Sequence, residues 1–223
     1  MPPKIKNSAK RVLIVDDHPM MRQGLAQLID NEPDLRVGGE ADTAGAALDL
    51  VIRQKFDLVL LDVSLPDKNG LEVIKDIRAQ KPDLAILVVS MHDEALYAER
   101  VLRAGARGYL MKQEGGKKLL AAMRQVLAGQ ISVSEKMSAQ ILEIFSGRRA
   151  ESASPVERLS DREFEVFQLV GQGRSTREIA AHLHLSVKTV EVHRANIKVK
   201  LKLKSAVELV RHAVRWTEAE GRG

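Results

Sequence analysis

Residues 57–70 read DLVLLDVSLPDKNG, an apolar run of strand length that ends on Asp62 and passes into a loop carrying Pro66 and Gly70. A short apolar run bounded by turn residues marks a strand buried on both faces, and such strands belong to parallel sheets covered by helices. The same unit recurs on either side of this stretch. RVLIV, LRVGG, AILVV and GYLM are the other runs, and amphipathic segments at 19–29, 43–54, 71–80, 94–104 and 117–128 alternate with them. Pro19 stands at a first-turn position where its missing N–H costs nothing, and Gly105 stands as a stop. This alternation predicts an α/β doubly wound (βα)5 domain over residues 10–130.

Past Gln130 the pattern changes. Residues 131–156 hold one amphipathic candidate, 135–145, and then GRRAESASP, small and polar, which predicts a linker. Strand signals then cease. Helical segments at 161–170, 175–183, 186–201 and 205–216 predict a second, smaller all-α domain over 157–218. Ser160 with Glu163 forms a capping box before the first of them, and Gly171 and Gly173 close it. Residues 1–9 are expected to be a disordered tail and 219–223 a tail.

Composition narrows the function. An apolar fraction of 44% with 29% charged residues describes a globular chain, not a disordered one. The longest apolar runs fall far short of the ~20 residues of a membrane span. The basic start MPPKIKNSAK leads into a strand and not into a signal-peptide core, so a cytoplasmic protein without a membrane partner is expected. The absence of cysteine excludes disulfides, thiol catalysis and thiolate zinc sites. His182 and His184, two apart, would point to different helix faces. Charge is uneven: residues 157–223 carry 13 Lys+Arg against 9 Asp+Glu, whereas 1–130 carry 19 against 18. The excess cation therefore lies in the smaller domain, which fits a polyanionic partner there.

Asp16 and Asp17 follow the first strand, Asp62 follows the third, Ser90 ends the fourth and Lys112 follows the fifth. In a parallel sheet these positions share the carboxyl edge, where ligand crevices form. Clustered carboxylates need a cation, and hard oxygen ligands suit Mg2+. A lysine and a hydroxyl beside such an ion supply charge neutralisation and a hydrogen-bond donor for phosphoryl transfer, with the remaining carboxylate as nucleophile. Taken singly, Asp17 could be a helix N-cap, Ser90 could cap the next helix and Lys112 could be a solvated charge. Capping does not account for the whole set at equivalent strand ends.

Residues 10–130 resemble the receiver domain of bacterial two-component response regulators, on the Asp16-Asp17 pair, Asp62, Pro66, Gly70, Ser90, Tyr109 and Lys112. The resemblance implies that Asp62 is the phosphoacceptor and that Asp17 binds Mg2+ with Asp16 nearby. It further implies that the Ser64 backbone carbonyl completes the protein ligands and that Ser90 and Lys112 contact the phosphoryl group. Tyr109 would turn inward as Ser90 moves toward the phosphate, reshaping the face made by the fourth helix, fifth strand and fifth helix. Such a domain catalyses only its own phosphorylation from a sensor histidine kinase and its own dephosphorylation. Met91, larger than the small residue many receivers carry there, is expected to restrict water and lengthen the phosphoryl lifetime.

In the segment 186–201, Val187, Val190, Ile197 and Leu201 fall on one helix face and are expected in the core. Lys188, Val192, Ala195 and Val199 form the opposite face, with Glu191 and Lys198 at its edges. Small apolar groups flanked by charge suit a major groove, where they touch thymine methyls while lysine pairs with phosphate. Ser186 and Thr189 at the helix start can serve phosphates. A solvated helix whose lysines complement its dipole is the alternative. The domain resembles a LuxR-type helix-turn-helix, with Arg162-Glu163, Ile179-Ala180, Leu183, Ser186, Thr189-Val190, His193 and Lys200-Leu201 in pattern. Together the two halves resemble the NarL/FixJ class. That implies a transcription regulator of double-stranded promoter DNA whose recognition helix places Glu191, Val192 and Ala195 nearest the bases. Glu191 could accept from cytosine or tie back Lys188 or Arg194. The last helix, through Ala206, Leu209, Val210 and Ala213, would pair a homodimer on DNA. The rival functions are a phosphorylation-independent DNA-binding protein and a metal-dependent aspartyl-phosphate phosphatase.

Overall fold

The apolar runs form Lys10–Val15 (β1), Leu35–Ala41 (β2), Leu58–Leu61 (β3), Ala85–Ser90 (β4) and Gly108–Met111 (β5). The segments between and after them form Pro19–Asp30 (α1), Ala44–Arg53 (α2), Gly70–Gln80 (α3), Glu94–Ala104 (α4) and Gly116–Leu127 (α5). The structure is a computed structural model that describes residues 9–145, 155–183 and 185–220. Most of the expected terminal tails and the GRRAESASP stretch lie outside the described residues.

The strands pair in parallel in the order β2-β1-β3-β4-β5. Side chains alternate between the two faces of a strand, so each face builds its own core. Val12, Ile14, Leu58, Leu60, Leu87 and Val89 pack with Leu25 and Ile29 of α1 and with Leu119, Met123 and Val126 of α5. Their alternates Leu13, Val15, Val59, Leu61, Ile86 and Val88 are equally buried on the other face. The chain steps from β1 to β2, then back across β1 to β3, and that reversal opens a crevice at the carboxyl ends of β1 and β3.

The chain divides into two compact units, Met1–Ser138 and Ala139–Gly223. Residues 131–138, expected in the linker, thus belong to the first unit. Ser132 bridges Gly108 in parallel, and Met137 in Glu135–Phe145 (α6) is buried. Hydropathy alone could not reveal this docking, because the segment is short and mostly polar.

In the second unit, Asp161–Gly171 (α7), Thr176–His182 (α8), Val187–Lys200 (α9) and Ala206–Glu220 (α10) follow the expected segments, with α10 taking in two residues of the expected tail. Capping boxes open both α7, with Ser160 and Glu163, and α8, with Ser175 and Glu178. Phe164, Phe167, Ile179, Val190, Ile197, Leu209 and Ala213 form the buried interior. Trp216 meets the rings of Phe164 and Phe167 edge-on at 5.4 and 5.5 Å. Gly171 lets α7 and α10 touch: a Cβ there would lie 2.1 Å from Thr217 Oγ1 and 2.6 Å from the Ala213 carbonyl oxygen. Val187, expected in the core, is 41% exposed, because the first residue of α9 precedes the turn that meets α7. No helix among the described residues is long and apolar enough to cross a membrane.

Candidate functional site

Asp16, Asp62 and Lys112 converge in the crevice, each side chain nearly buried. Lys112 opens a 3-10 turn directly after β5, and its Nζ lies 2.6 Å from Asp16 Oδ2 and 2.6 Å from Asp62 Oδ2. Burial disfavours the ammonium, but the bonds to Asp16 and Asp62 outweigh it and raise its pKa above the ordinary lysine value. A solvated Lys112 is thereby excluded. The N-cap of α1 is His18, so Asp17 is not a cap. Ser90 is fully buried, and its Oγ accepts the His92 N–H at 3.3 Å, short of the start of α4 at Glu94.

The loop after Asp62 is tied down at several points. The Ser64 N–H donates to Asp62 Oδ1 at 3.1 Å. Asp67 accepts from the N–H groups of Ala44 and Gly45 at the start of α2, at 2.8 and 3.0 Å. Asn69 caps α3, and Gly70 approaches so closely that a Cβ would lie 2.4 Å from Val63 Cα. These ties fix the path of the loop that carries Asp62 and Ser64.

The donors fit a hard divalent cation. Carboxylate oxygens of Asp16, Asp17 and Asp62, with His18, offer ligand atoms within 4.8 Å of one another. Asp17 Oδ1 is buried and makes no hydrogen bond, with His18 Nδ1 2.7 Å away. An oxygen left in that condition is a natural metal ligand.

His92 is the residue that sequence reasoning passed over. Its Nε2 lies 2.8 Å from Ser64 Oγ, its ring stacks on Tyr97 at 4.6 Å, and its carbonyl accepts the Tyr109 hydroxyl at 2.7 Å. Burial pushes the imidazole below its ordinary pKa. His92 thus bridges the loops after β3 and β4, whereas the neighbouring Met91 is 65% exposed. Tyr109 is inward and buried, and burial pushes its hydroxyl pKa up.

On α9, Ser186 is the N-cap and accepts the Thr189 N–H at 3.0 Å, while the two hydroxyls meet at 2.8 Å. Lys188, Glu191, Val192 and Ala195 are exposed, with Val192 at 51%. Arg194 donates to Thr176 Oγ1 at 2.9 Å, and Glu191 forms no ion pair among the described residues, so the intrahelical tie is not made. His193 is half-buried with Nδ1 turned inside, and Lys198 is half-buried. Lys200 is drawn onto Glu163 of α7 at 2.6 Å. On α10, Leu209 and Ala213 are fully buried in their own domain and have no surface for a second copy; Ala206, Val207 and Val210 face outward. The stripe read from spacing combined two faces, because α10 packs on α7 through its centre.

Residues 12–124 match the response regulator receiver domain family, and residues 157–213 match the luxR family of bacterial regulatory proteins. The chain is 34% identical over 210 residues to the oxygen regulatory protein NreC of Staphylococcus haemolyticus, covering 92% of this chain and 97% of that protein. It is 35% identical over 209 residues to the nitrate/nitrite response regulator protein NarL of Escherichia coli, covering 94% and 95%. Among solved structures, it is similar to RcsB of Salmonella enterica serovar Typhimurium bound to a promoter in the presence of the phosphomimetic BeF3-. There the TM-score is 0.71 with 25% identity, over 92% of this chain and 98% of that one. A second RcsB structure from Salmonella typhimurium gives a TM-score of 0.73 with 26% identity, over 93% and 98%.

Proposed function

The chain belongs to the NarL/FixJ class of response regulators, in which a receiver domain is joined to a LuxR-type DNA-binding domain, and we propose that phosphorylation of Asp62 by a sensor histidine kinase controls its binding to promoter DNA in the cytoplasm. One observation carries the reading: a buried ammonium, Lys112, bonds Asp16 and Asp62 together at the carboxyl edge of the sheet. Ion pairs of this kind in a crevice mark chemistry more often than stability.

A carboxylate oxygen of Asp62 attacks the phosphorus of the donor phosphohistidine. The P–N bond breaks, the imidazole leaves with its electron pair, and an acyl phosphate forms. Lys112 contacts the transferring oxygens, and Ser90, whose Oγ accepts the His92 N–H, donates its O–H to the phosphoryl group. Asp16, Asp17, Asp62 and the Ser64 carbonyl would hold Mg2+, which when bound neutralises the charge on the phosphoryl oxygens. The chain is thus a regulator that modifies itself, not an enzyme acting on a separate substrate.

At the other end, Val192 and Ala195 meet base edges in the major groove, with Glu191 free to accept from a cytosine amino group. Ser186, Lys188, Thr189 and Lys198 serve the phosphates, and His193 supports the helix from inside. The exposed face of α10, Ala206, Val207 and Val210, pairs two copies on a two-fold site. The test is promoter binding with and without beryllofluoride, comparing wild type with Asp62→Ala. Tighter binding by wild type alone is expected. An equal response from both proteins would overturn the reading.

A further inference from the structure

The segment after α5 returns to the receiver sheet. The Ser132 N–H donates to the Arg107 carbonyl at 2.9 Å, and the Tyr109 N–H donates to the Ser132 carbonyl at 2.9 Å. Ser132 Oγ donates to Gln125 of α5 at 2.8 Å. Two residues later Ser134 caps α6: its Oγ accepts the Met137 N–H at 3.1 Å, and its carbonyl accepts the Ser138 N–H at 2.9 Å. A capping box needs a second half, a carboxylate at the third helical position that accepts the N–H of the capping residue. Here that position is Met137, which is apolar and buried. The Ser134 N–H instead donates to Glu94 Oε1 at 2.8 Å, and Glu94 is the first residue of α4.

A capping box closed within one helix is a local device. One closed from another helix binds the two together, and it places a carboxylate at the positive end of α6. Glu94 also stands two residues beyond His92, whose N–H is on Ser90 and whose carbonyl is on the Tyr109 hydroxyl. Tyr109 holds Ser132 through its own N–H. Ser90 and Tyr109 therefore reach the start of α6 by separate routes, one through Glu94 and one through Ser132.

We infer that Glu94 is a positioning residue that completes the N-cap of α6 from α4, so that phosphorylation, by fixing the loop between Ser90 and Glu94, firms the junction leading to the DNA-binding domain. The inference rests on the reading of Asp62 as phosphoacceptor. It assigns a direction: Ser90 and Tyr109 both hold His92, two residues before Glu94, so a phosphoryl group that holds Ser90 strengthens the cap.

Hydrogen exchange on the full-length chain tests it. Beryllofluoride is expected to slow exchange of the Ser134 and Met137 amides about tenfold, toward the lower end of ordinary allosteric couplings. Glu94→Ala should exchange fast with and without beryllofluoride, and Glu94→Gln, whose side-chain oxygen can still accept, should recover most of the response. Unchanged or faster exchange in wild type, or a wild-type response from Glu94→Ala, overturns the inference. Promoter affinity measured on the same samples separates the two readings. A DNA response without an exchange response removes only the role of Glu94, whereas loss of the DNA response removes the proposed function itself.

Discussion

The receiver crevice and the recognition helix keep their working groups in opposite conditions. In the crevice, Lys112 is bonded to Asp16 and Asp62, and the Ser64 and His18 N–H groups take further carboxylate oxygens. On α9, Lys188, Glu191, Val192 and Ala195 stand exposed. Burial explains the difference. A charge removed from water must be paired in advance, whereas a surface that reads a groove can leave its groups to solvent until DNA replaces it. Substitutions in the crevice should therefore register first in folding, and those on the outer face of α9 only in DNA affinity.

The sharpest way to break this contrast is Lys112→Met, which leaves Asp16 and Asp62 facing each other. It should lower the unfolding free energy of the first unit by about 3–5 kcal/mol, followed by circular dichroism in urea, and millimolar Mg2+ should restore part of the loss. Unchanged stability would mean that the crevice is wetter than its burial indicates. Next is Gly171→Ala, which forces α7 and α10 apart and should cost the second unit about 2–3 kcal/mol. Trp216 is the only tryptophan and lies in that unit, so its fluorescence reports this melt selectively.

Glu163→Gln sharpens the comparison, since Glu163 is a buried charge that supports the reading domain. Burial pushes its carboxyl up, but Lys200 and the Ser160 N–H outweigh that and hold the pKa below the usual carboxylate range. A depressed carboxyl stabilises the fold fully above its unfolded value of about 4.3 and loses that stabilisation as pH falls through the lower folded value. The variant should cost about 1–2 kcal/mol at neutral pH and flatten the acid side of the stability profile. The smallest effect belongs to Val192→Ala: binding weaker by about 1 kcal/mol, roughly fivefold, in a titration with promoter DNA. Its melting temperature should not move. A shift would place Val192 in the core instead.

The doubly wound sheet was legible because its strands are near-continuous apolar runs ending in polar residues, and the crevice because Asp16, Asp62, Ser90 and Lys112 occupy equivalent ends. What escaped depended on partners distant in sequence. His92 gives no sign in its neighbours that it bridges to Ser64, and the Ser134–Glu94 cap spans 40 positions. The Ser175–Glu178 box was visible in principle, since its spacing repeats that of Ser160 and Glu163. Helical spacing placed Leu209 and Ala213 on one stripe with Val210 but could not say which side α7 would cover. Val187 failed for a related reason: periodicity assigns a face, not the point along the helix where packing begins.

The bridge between Gly108 and Ser132 also bears on assembly. β5 lies at the border of the sheet, and an uncovered border strand invites pairing with strands of other molecules, the usual route to edge-to-edge aggregation. Ser132 takes the Tyr109 N–H and the Arg107 carbonyl on that side, so a seam of the chain's own backbone occupies the place an incoming strand would need. At the opposite border, β2 carries Arg36 and Glu40, exposed or partly so, with Gly38 and Gly39 between them, a stretch poor in the bulky side chains that steady strand addition. A strand from another molecule would have to displace this seam before it could pair along the whole of β5.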